Sequence, residues 1–293
     1  MKRSEINTTK WDACIDAHPL GLPYAYSWYL DAATNGHWDA LVTEEYCQVM
    51  PLPWNKKWGI KQVYQPHACQ QLGVFGYGET LCNAFKAELD QRFKSYHVSF
   101  NAASSVVSSQ CYTNYTLDLN QPYESLFAAY RKDRRKTIRK AKERGHVQPI
   151  STEDFWAFYH KHDPVKANKG KGDISCFDDV LQAALSRDQA EVIGYFAEGA
   201  LEAVNAYTKT QKRIVSLLGV VNPKVRNNGG GALVFDHMIE QYAEQPLTFD
   251  FEGSMLPAVA YFLEGFHPKE ENYYYVEKRH PLLQNLKRLA GKG

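Results

Sequence analysis

The sequence lacks long apolar stretches. Its 293 residues contain no run of 18 or more apolar side chains, and residues 1–5 read Met-Lys-Arg-Ser-Glu. A helix that crosses a bilayer needs about 20 consecutive apolar residues, and a secretory signal has an apolar segment behind its basic start. We therefore expect neither a membrane span nor a signal peptide.

Cysteines and histidines are present but lack the spacing of functional clusters. The six cysteines form no C-x-x-C pair, and the ten histidines, His267 and His280 among them, show no metal-ligand spacing. Disulfide frameworks and zinc sites depend on such spacing. We therefore expect no metal site, and buried, reduced thiols in a cytoplasmic protein. The cysteines are Cys14, Cys47, Cys69, Cys82, Cys111 and Cys176.

The composition gives no sign of disorder. Hydrophobic residues make up 44% of the chain and charged residues 23%, which are ordinary values for a globular protein. A chain of 293 residues is longer than one hydrophobic core usually holds. The length therefore predicts two domains.

A low net charge, +1, hides one strongly basic segment. Residues 131–145 (RKDRRKTIRKAKERG) contain nine Lys or Arg and two Asp or Glu, so they carry +7 while the rest of the chain carries −6. A helix starting near Tyr123 would have a thin apolar stripe and cations on its other faces. The pattern fits either a solvated connecting helix or a surface that binds a large phosphate-bearing anion. The second interpretation assigns anion contacts to Arg131, Arg134, Arg135, Arg139 and Lys142.

The order of predicted elements repeats along the chain. The C-terminal half predicts the order β-α-α-β-β-β-α-β-α-β, and the N-terminal half follows it more loosely, with strands that include residues 61–64 and 70–75. We therefore predict an α/β protein with mixed sheets, built from two copies of one fold. The predicted domains are residues 1–122 and 146–293, joined by a basic helix at 123–145. The C-terminal tail, residues 281–293, is expected to pack on the N-terminal domain.

The most informative segment is a glycine-rich loop between a strand and a helix. The β-branched run that ends at Val221 gives way at Asn222-Pro223 to Arg226-Asn-Asn-Gly-Gly-Gly231, and a helix is predicted from Ala232. Glycine lets the backbone approach a bound group closely, and the first N–H groups of a helix favour an anion. This pattern predicts a phosphate-binding cradle, although a flexible glycine-rich turn would have the same composition.

Two acidic residues lie at the end of the next predicted strand, residues 248–251. Alternation places Phe249 and Phe251 on one side of this strand, and Asp250 and Glu252 on the other. Ligands bind at the carboxyl ends of strands in open α/β sheets, and a carboxylate there can deprotonate an amine or bind its ammonium form. We favour Glu252 because it lies closer to the end of the strand. A salt bridge or a helix cap is the structural alternative.

The loop and a later tyrosine resemble the GNAT N-acyltransferases. Arg226-x-x-Gly229-x-Gly231 matches their R/Q-x-x-G-x-G/A signature, and Tyr261-x-x-x-Gly-Phe266 matches their Y-x-x-x-G-F element. The resemblance implies two tandem GNAT-like domains, the first with a degenerate loop, and an acyl-CoA donor such as acetyl-CoA. It also implies that Tyr261 protonates the departing thiolate, unless that ring only packs against the sheet. The residues expected to bind the donor are Val220 and Val221, along the pantetheine arm, and Arg226, Asn227, Asn228, Gly229, Gly230 and Gly231.

The basic segment has a second resemblance. The run from Arg134 to Gly145, followed by a strand and by Phe155-x-x-Phe-Tyr159, is similar to the Fem-type peptidyltransferases, as is the phrase Phe-Glu-Gly-Ser254. Those are tandem GNAT-fold proteins that move an amino acid from aminoacyl-tRNA to a cell-wall precursor. They do not rely on a well-formed CoA loop, which this chain has, so we expect transfer from an acyl-CoA-type donor to an amine. Fem-type transfer, with tRNA on the basic helix, and a non-catalytic ligand-binding protein are the alternatives.

Overall fold

The computed structural model describes residues 1–57, 59–77, 82–107, 110–162, 174–253 and 255–279. The predicted packing of residues 281–293 and the position of Ser254 lie outside these residues. Within them, the α-helices are α1 (Thr8–Ala17), α2 (Ser27–Thr34), α3 (Cys82–Arg92), α4 (Tyr123–Ala129), α5 (Lys132–Arg144), α6 (Thr152–His162), α7 (Ser175–Leu185), α8 (Gly230–Tyr242) and α9 (Pro257–Glu264). The strands are β1 (Trp38–Val42), β2 (Gln48–Lys57), β3 (Ile60–Val63), β4 (Phe75–Gly76), β5 (Tyr96–Phe100), β6 (Gln110–Asp118), β7 (Gly145–Pro149), β8 (Ala190–Ala197), β9 (Ala200–Lys209), β10 (Arg213–Val221), β11 (Thr248–Asp250) and β12 (Lys269–Lys278).

The chain divides into two compact units. Unit 1 comprises Met1–Tyr112 and the chain from Asn272 onward, and unit 2 comprises Thr113–Glu271. This division differs from the predicted one, because α4 and α5 pack within unit 2 and the end of β12 pairs with β5 in unit 1. The domain boundaries predicted from the sequence, after residues 122 and 145, stay a prediction.

Unit 1 is a mixed sheet with helices packed against it. β2 pairs antiparallel with β1 and β3, β3 runs parallel to β5, and β5 pairs antiparallel with β12. The buried residues of α1, Trp11, Cys14 and Ile15, recur at the spacing of one helical face, which is why this helix packs on the sheet. Trp11 lies 5.0 Å from Trp38 of β1, between ring centroids.

One predicted strand of unit 1 is wrong. Residues 70–75 were expected to be extended, but only β4, Phe75–Gly76, is a strand there, and Leu72 makes an isolated bridge to Phe100. Gly73 interrupts the segment with φ +85°, and a Cβ at this position would lie 2.8 Å from the Phe100 ring. The left-handed backbone that this close packing requires cannot continue a strand.

Unit 2 follows the predicted element order from β7 to α9. Its strands are arranged β7-β8-β9-β10-β11-β6, antiparallel except for the parallel pair β10 and β11. Residues of α5 and α8 share a core with β8, β9 and β10. The order strand, glycine loop, helix is confirmed, with the helix beginning at Gly230 rather than Ala232.

The basic helix is broken, which corrects the prediction of one continuous helix. Tyr130 and Arg131 have extended backbones, with ψ 148° and 141°, and separate α4 from α5. The Tyr130 ring packs edge-on against Phe266, 5.2 Å between centroids, and the Arg131 N–H donates to the Gly265 carbonyl oxygen. These tertiary contacts outweigh the helical propensity of the segment.

Candidate active site

The glycine loop connects β10 to α8 through one turn of 3-10 helix, Arg226–Asn228. Gly229 follows with φ +90° and ψ −4°, a left-handed conformation that favours glycine, and α8 begins at the next residue. Arg226 and Asn227 are exposed, whereas Gly229 and Gly230 are buried. The exposed Arg226 therefore precedes the buried N-terminus of α8 by four residues.

Protein packing accounts for the three glycines. A Cβ on Gly229 would lie 2.7 Å from the Thr137 carbonyl oxygen of α5, and a Cβ on Gly230 would lie 2.4 Å from the Tyr195 ring. At Gly231 a Cβ would lie 2.7 Å from a Val221 methyl group. The glycine pattern predicted that a ligand approaches the backbone here, but α5, β8 and β10 fill the space of the missing side chains.

The backbone amides of the same glycines fit an anion. The N–H groups of Gly229, Gly230 and Gly231 have no hydrogen-bond partner among the described residues, although all three residues are buried. A buried N–H without a partner costs about 1–3 kcal/mol, and the helix dipole adds partial positive charge at the same place. An anionic group at the start of α8 would satisfy these amides.

β10 and β11 separate next to this loop. They pair in parallel only from Arg213 to Val215, and a β-bulge between Ser216 and Leu218 follows at once in β10. From Leu218 to Val221, β10 pairs with β9 and has no second partner strand among the described residues. The backbone edge that includes Val220 and Val221 is therefore open to an extended, amide-containing ligand.

Glu252 lies in a strained turn after β11. Its φ is +49°, which is uncommon for a residue with a side chain, and its N–H donates to Asp250 Oδ1 at 2.8 Å. The next N–H, of Gly253, donates to Asn114 Oδ1 at 2.7 Å. As the alternation predicted, Phe249 and Phe251 share the core, with ring centroids 4.8 Å apart. The half-buried Glu252 is thus held by its neighbours in a conformation it would not adopt freely.

Asp250 has a different environment from Glu252. It is fully buried and accepts hydrogen bonds from Asn114 Nδ2 at 3.0 Å and from Arg213 Nη1 at 2.7 Å. Arg213 also binds Glu271 through two hydrogen bonds of 2.9 Å. Burial raises the pKa of Asp250, and the positive charge of Arg213 lowers it. Every neighbour that bonds to Asp250 donates a hydrogen bond, so the geometry fits the ionised carboxylate. Asp250 serves the turn, which leaves Glu252 as the candidate base.

Tyr261 lies on the exposed side of α9. It is 59% exposed, and the guanidinium of Arg131 lies 3.9 Å from the centroid of its ring. Arg131 Nη1 also donates to the Tyr261 carbonyl oxygen at 3.3 Å. The phenol hydroxyl has no hydrogen-bond partner in the described part of the chain, so it is accessible to a ligand.

The cations predicted to bind an anion separate into two groups. Arg134 is buried; its Nη2 donates to the Phe262 carbonyl oxygen at 2.7 Å and its guanidinium stacks 4.1 Å from the Phe262 ring. Burial, with the repulsion of Arg131, lowers the pKa of Arg134 to about 10. Lys142 forms ion pairs with Asp236 at 3.3 Å and Glu240 at 2.7 Å. Arg131, Arg134 and Lys142 thus have partners inside unit 2, while Arg139 is exposed and Arg135 half-buried without an ion pair among the described residues.

Sequence reasoning missed Asn114 and Arg213. Asn114 is 136 residues from Asp250 along the chain, and no local pattern links the two. Arg213 begins a strand predicted to be apolar, and only its pairing with β11 brings it to Asp250. No three His, Cys, Asp or Glu side chains of the described residues are grouped to hold a metal ion. In the same part of the chain, no helix has the length and apolar character to cross a membrane.

Comparisons with known proteins agree with this fold. Residues 128–260 match the family described as an acetyltransferase (GNAT) domain, whereas no curated protein matches the chain. The crystal structure of FemX is similar with a TM-score of 0.68 at 12% identity, covering 97% of this chain and 98% of FemX. The structure of L-PGS from Bacillus licheniformis has a TM-score of 0.55 at 12% identity, covering 97% of this chain and 96% of that one.

A tandem GNAT protein from the clavulanic acid biosynthesis pathway is also similar. Its TM-score is 0.50 at 11% identity, covering 93% of this chain and 95% of that protein. At such identities the likeness shows the fold, and it confirms both the predicted mixed α/β class and the resemblance to Fem-type and tandem GNAT proteins. The chain therefore contains an acetyltransferase (GNAT) domain in residues 128–260, and its overall fold is similar to that of FemX and of a tandem GNAT protein.

Proposed function

We propose that the protein transfers an acyl group from an acyl-CoA-type donor, such as acetyl-CoA, to an amine. The observation that carries the proposal is the buried N-terminus of α8, where the amides of Gly229, Gly230 and Gly231 lack partners among the described residues. These amides would bind the donor's phosphates and Arg226 would add charge. The open edge of β10 at Val220 and Val221 would pair with the amides of the pantetheine arm.

The proposed reaction uses one base and one acid. Glu252, directly or through water, takes a proton from the ammonium group of the acceptor, and the resulting amine nitrogen attacks the acyl carbon and forms a bond to it. A backbone N–H near Val220 stabilises the oxyanion. The bond between carbon and sulfur then breaks and Tyr261 protonates the departing thiolate, while the nitrogen passes its second proton to the phenolate, directly or through water, so that an amide, the CoA thiol and a neutral Tyr261 result. A phenol and a thiol are similar in basicity, which suits this transfer.

Calorimetry with CoA and acetyl-CoA tests the donor. We expect binding, and we expect Arg226→Ala to weaken it about five- to ten-fold because a charged contact to phosphate is lost. Arg187→Ala, at an exposed arginine near the end of α7, is the matched control and should bind like the unmodified protein. Absence of binding at millimolar ligand would rule out the acyl-CoA proposal.

Release of the CoA thiol from acetyl-CoA, measured with a panel of primary amines, tests the chemistry. Glu252→Gln and Tyr261→Phe should each lower turnover by about 10²–10⁴ because each removes a proton-transfer group. Unchanged turnover would mean that these residues have no such role. Binding without turnover of any amine would favour the non-catalytic ligand-binding protein instead.

A second candidate, Fem-type transfer from aminoacyl-tRNA, is favoured by the position of α5. This helix packs on the glycine loop through Thr137 and Ala141, and its cations Arg135 and Arg139 have no acidic partner among the described residues. A phosphate backbone along α5 would reach the start of α8. The basic surface would then bind tRNA, as the peptidyltransferase resemblance implies.

Charge reversal tests this candidate. Arg135→Glu with Arg139→Glu should weaken tRNA binding steeply and flatten its dependence on salt, since each lost phosphate contact removes about one unit of slope. The control reverses Lys56 and Lys94, two exposed lysines of unit 1. Equal losses in both variants would point to non-specific attraction.

We also propose a cytoplasmic location, because all six cysteines are free thiols.

A further inference from the structure

The turn that carries Glu252 is fixed from several sides. Gly253 packs so closely on β6 that a Cβ would lie 2.8 Å from both the Asn114 Cα and the Thr113 carbonyl oxygen. Its N–H and that of Glu252 both bond to side chains, at 2.7 and 2.8 Å. A positive φ costs about 1 kcal/mol or more at a glutamate, and at Glu252 the two hydrogen bonds and the packing of Gly253 hold it.

Asn114 is the residue that connects the two ends of this turn. Its Nδ2 donates to Asp250 Oδ1 at 3.0 Å, before Glu252, and its Oδ1 accepts the Gly253 N–H at 2.7 Å, after Glu252. Asn114 is fully buried, so no water competes for these bonds. An amide side chain suits this position because it offers a donor and an acceptor at once.

A buried ion pair fixes the partner of Asn114. Asp250 Oδ2 accepts from Arg213 Nη1 at 2.7 Å, and Arg213 is only 2% exposed. Glu271 holds the other side of the guanidinium through a bidentate contact of 2.9 Å. Hydrogen bonds therefore connect Glu271 through Arg213 and Asp250 to Asn114. They end at the backbone N–H groups of Glu252 and Gly253, on either side of the Glu252 side chain.

We propose that Asn114 is a positioning residue for Glu252: by bonding to Asp250 and to Gly253, it fixes the backbone of the turn that carries the Glu252 carboxylate. The inference rests on the proposed function, in which Glu252 is the base. Asn114 touches no reacting atom and acts only by fixing the geometry of proton transfer, to which rates are sensitive at the scale of 1 Å.

A double-mutant cycle on turnover of acetyl-CoA with amines tests the proposal. Asn114→Ala should lower kcat about 10- to 100-fold and leave the KM for acetyl-CoA within about two-fold, since the donor's phosphates bind at another loop. In the Glu252→Gln protein, the same Asn114→Ala change should lower the residual kcat by less than about two-fold, because the group it positions is gone.

The matched control is Asn101→Ala. Asn101 is equally buried, lies directly after a strand in unit 1, and bonds to the Val74 carbonyl oxygen at 2.8 Å and to the Ala103 N–H at 3.1 Å. It should lower thermal stability in the same way as Asn114→Ala while leaving kcat per folded molecule unchanged. Amide exchange at Gly253, measured by NMR, should accelerate in the Asn114 variant alone.

The possible outcomes distinguish the two proposals. If Glu252→Gln lowers turnover and Asn114→Ala opens the Gly253 amide without changing kcat, the positioning role is wrong and the base assignment holds. Equal kcat losses from Asn114→Ala in both backgrounds would likewise contradict positioning. If Glu252→Gln leaves turnover unchanged, the base assignment fails and the positioning proposal fails with it.

Discussion

The two loops that follow β10 and β11 both pack closely at glycine, but they differ in what their backbone N–H groups bond to. The loop before α8 is held by close packing on its glycines, at Thr137, Tyr195 and Val221, and its amides have no partner among the described residues. The turn after β11 is held by hydrogen bonds, with the amides of Glu252 and Gly253 bound to side chains. Packing fixes a loop while leaving its polar groups for a ligand, whereas hydrogen bonds use those groups to fix a side chain.

This difference matches the proposed roles. A phosphate is recognised by several N–H groups that converge on it, and these must be unpaired in the free protein. Proton transfer needs one carboxylate in a fixed place, so the backbone that carries it can be fully bonded. A substitution that disturbs the contacts of either loop should lower the free energy of unfolding. We expect the larger decrease at the hydrogen-bonded turn and the smaller one at the packed loop.

The largest loss is expected at the hydrogen-bonded turn. Asp250→Ala should destabilise the protein by about 3–5 kcal/mol, because it removes one partner of the buried Arg213 pair and the acceptor of the hydrogen bonds from Asn114 Nδ2 and the Glu252 N–H. Asp39→Ala is the control. Asp39 pairs with Lys61 through side chains that are 20% and 37% exposed, so its loss should cost about 1 kcal/mol or less. Urea unfolding measures both, and similar losses would show that the buried pair does not stabilise the turn.

A smaller loss is expected at the packed loop. Gly229→Ala adds a methyl group at φ +90°, 2.7 Å from the Thr137 carbonyl oxygen, and should destabilise by about 2–4 kcal/mol through strain and overpacking. Gly199→Ala has nearly the same φ, +78°, with nothing within 4 Å, so it should cost only about 1 kcal/mol. The difference between the two measures the packing of α5 on the loop. No difference would mean that the loop does not depend on α5.

The sequence predicted the packed loop better than the bonded turn. The glycine loop lies between neighbouring elements, so local signals, a β-branched run followed by Arg226 and three glycines, were enough to place it. The turn depends on Asn114, which reaches it from 136 residues away, and no alternation or spacing shows that contact. Arg134 was misjudged for the same reason: it belongs to a basic run, but Gly265 leaves room for its guanidinium to lie against Phe262 and Phe266.

The smallest effect on stability is expected where the turn is strained. Glu252→Gly removes a side chain at φ +49° and should stabilise the protein by up to about 1 kcal/mol, the relief of left-handed strain being partly offset by the flexibility of glycine. Glu244→Gly is the matched control, because Glu244 is an exposed glutamate of the same unit with φ +65°. Both variants should gain similar stability by thermal unfolding.

Activity should separate these two variants. Glu252→Gly should lower turnover of acetyl-CoA with amines by about 10²–10³, whereas Glu244→Gly should leave it unchanged, because only one of the two strained glutamates carries the proposed base. If Glu252→Gly alone gains stability and loses activity, the strained backbone is retained because it places the Glu252 carboxylate for the reaction. A loss of stability at Glu252 would instead mean that its side chain holds the turn, and that the positive φ is a consequence of structure.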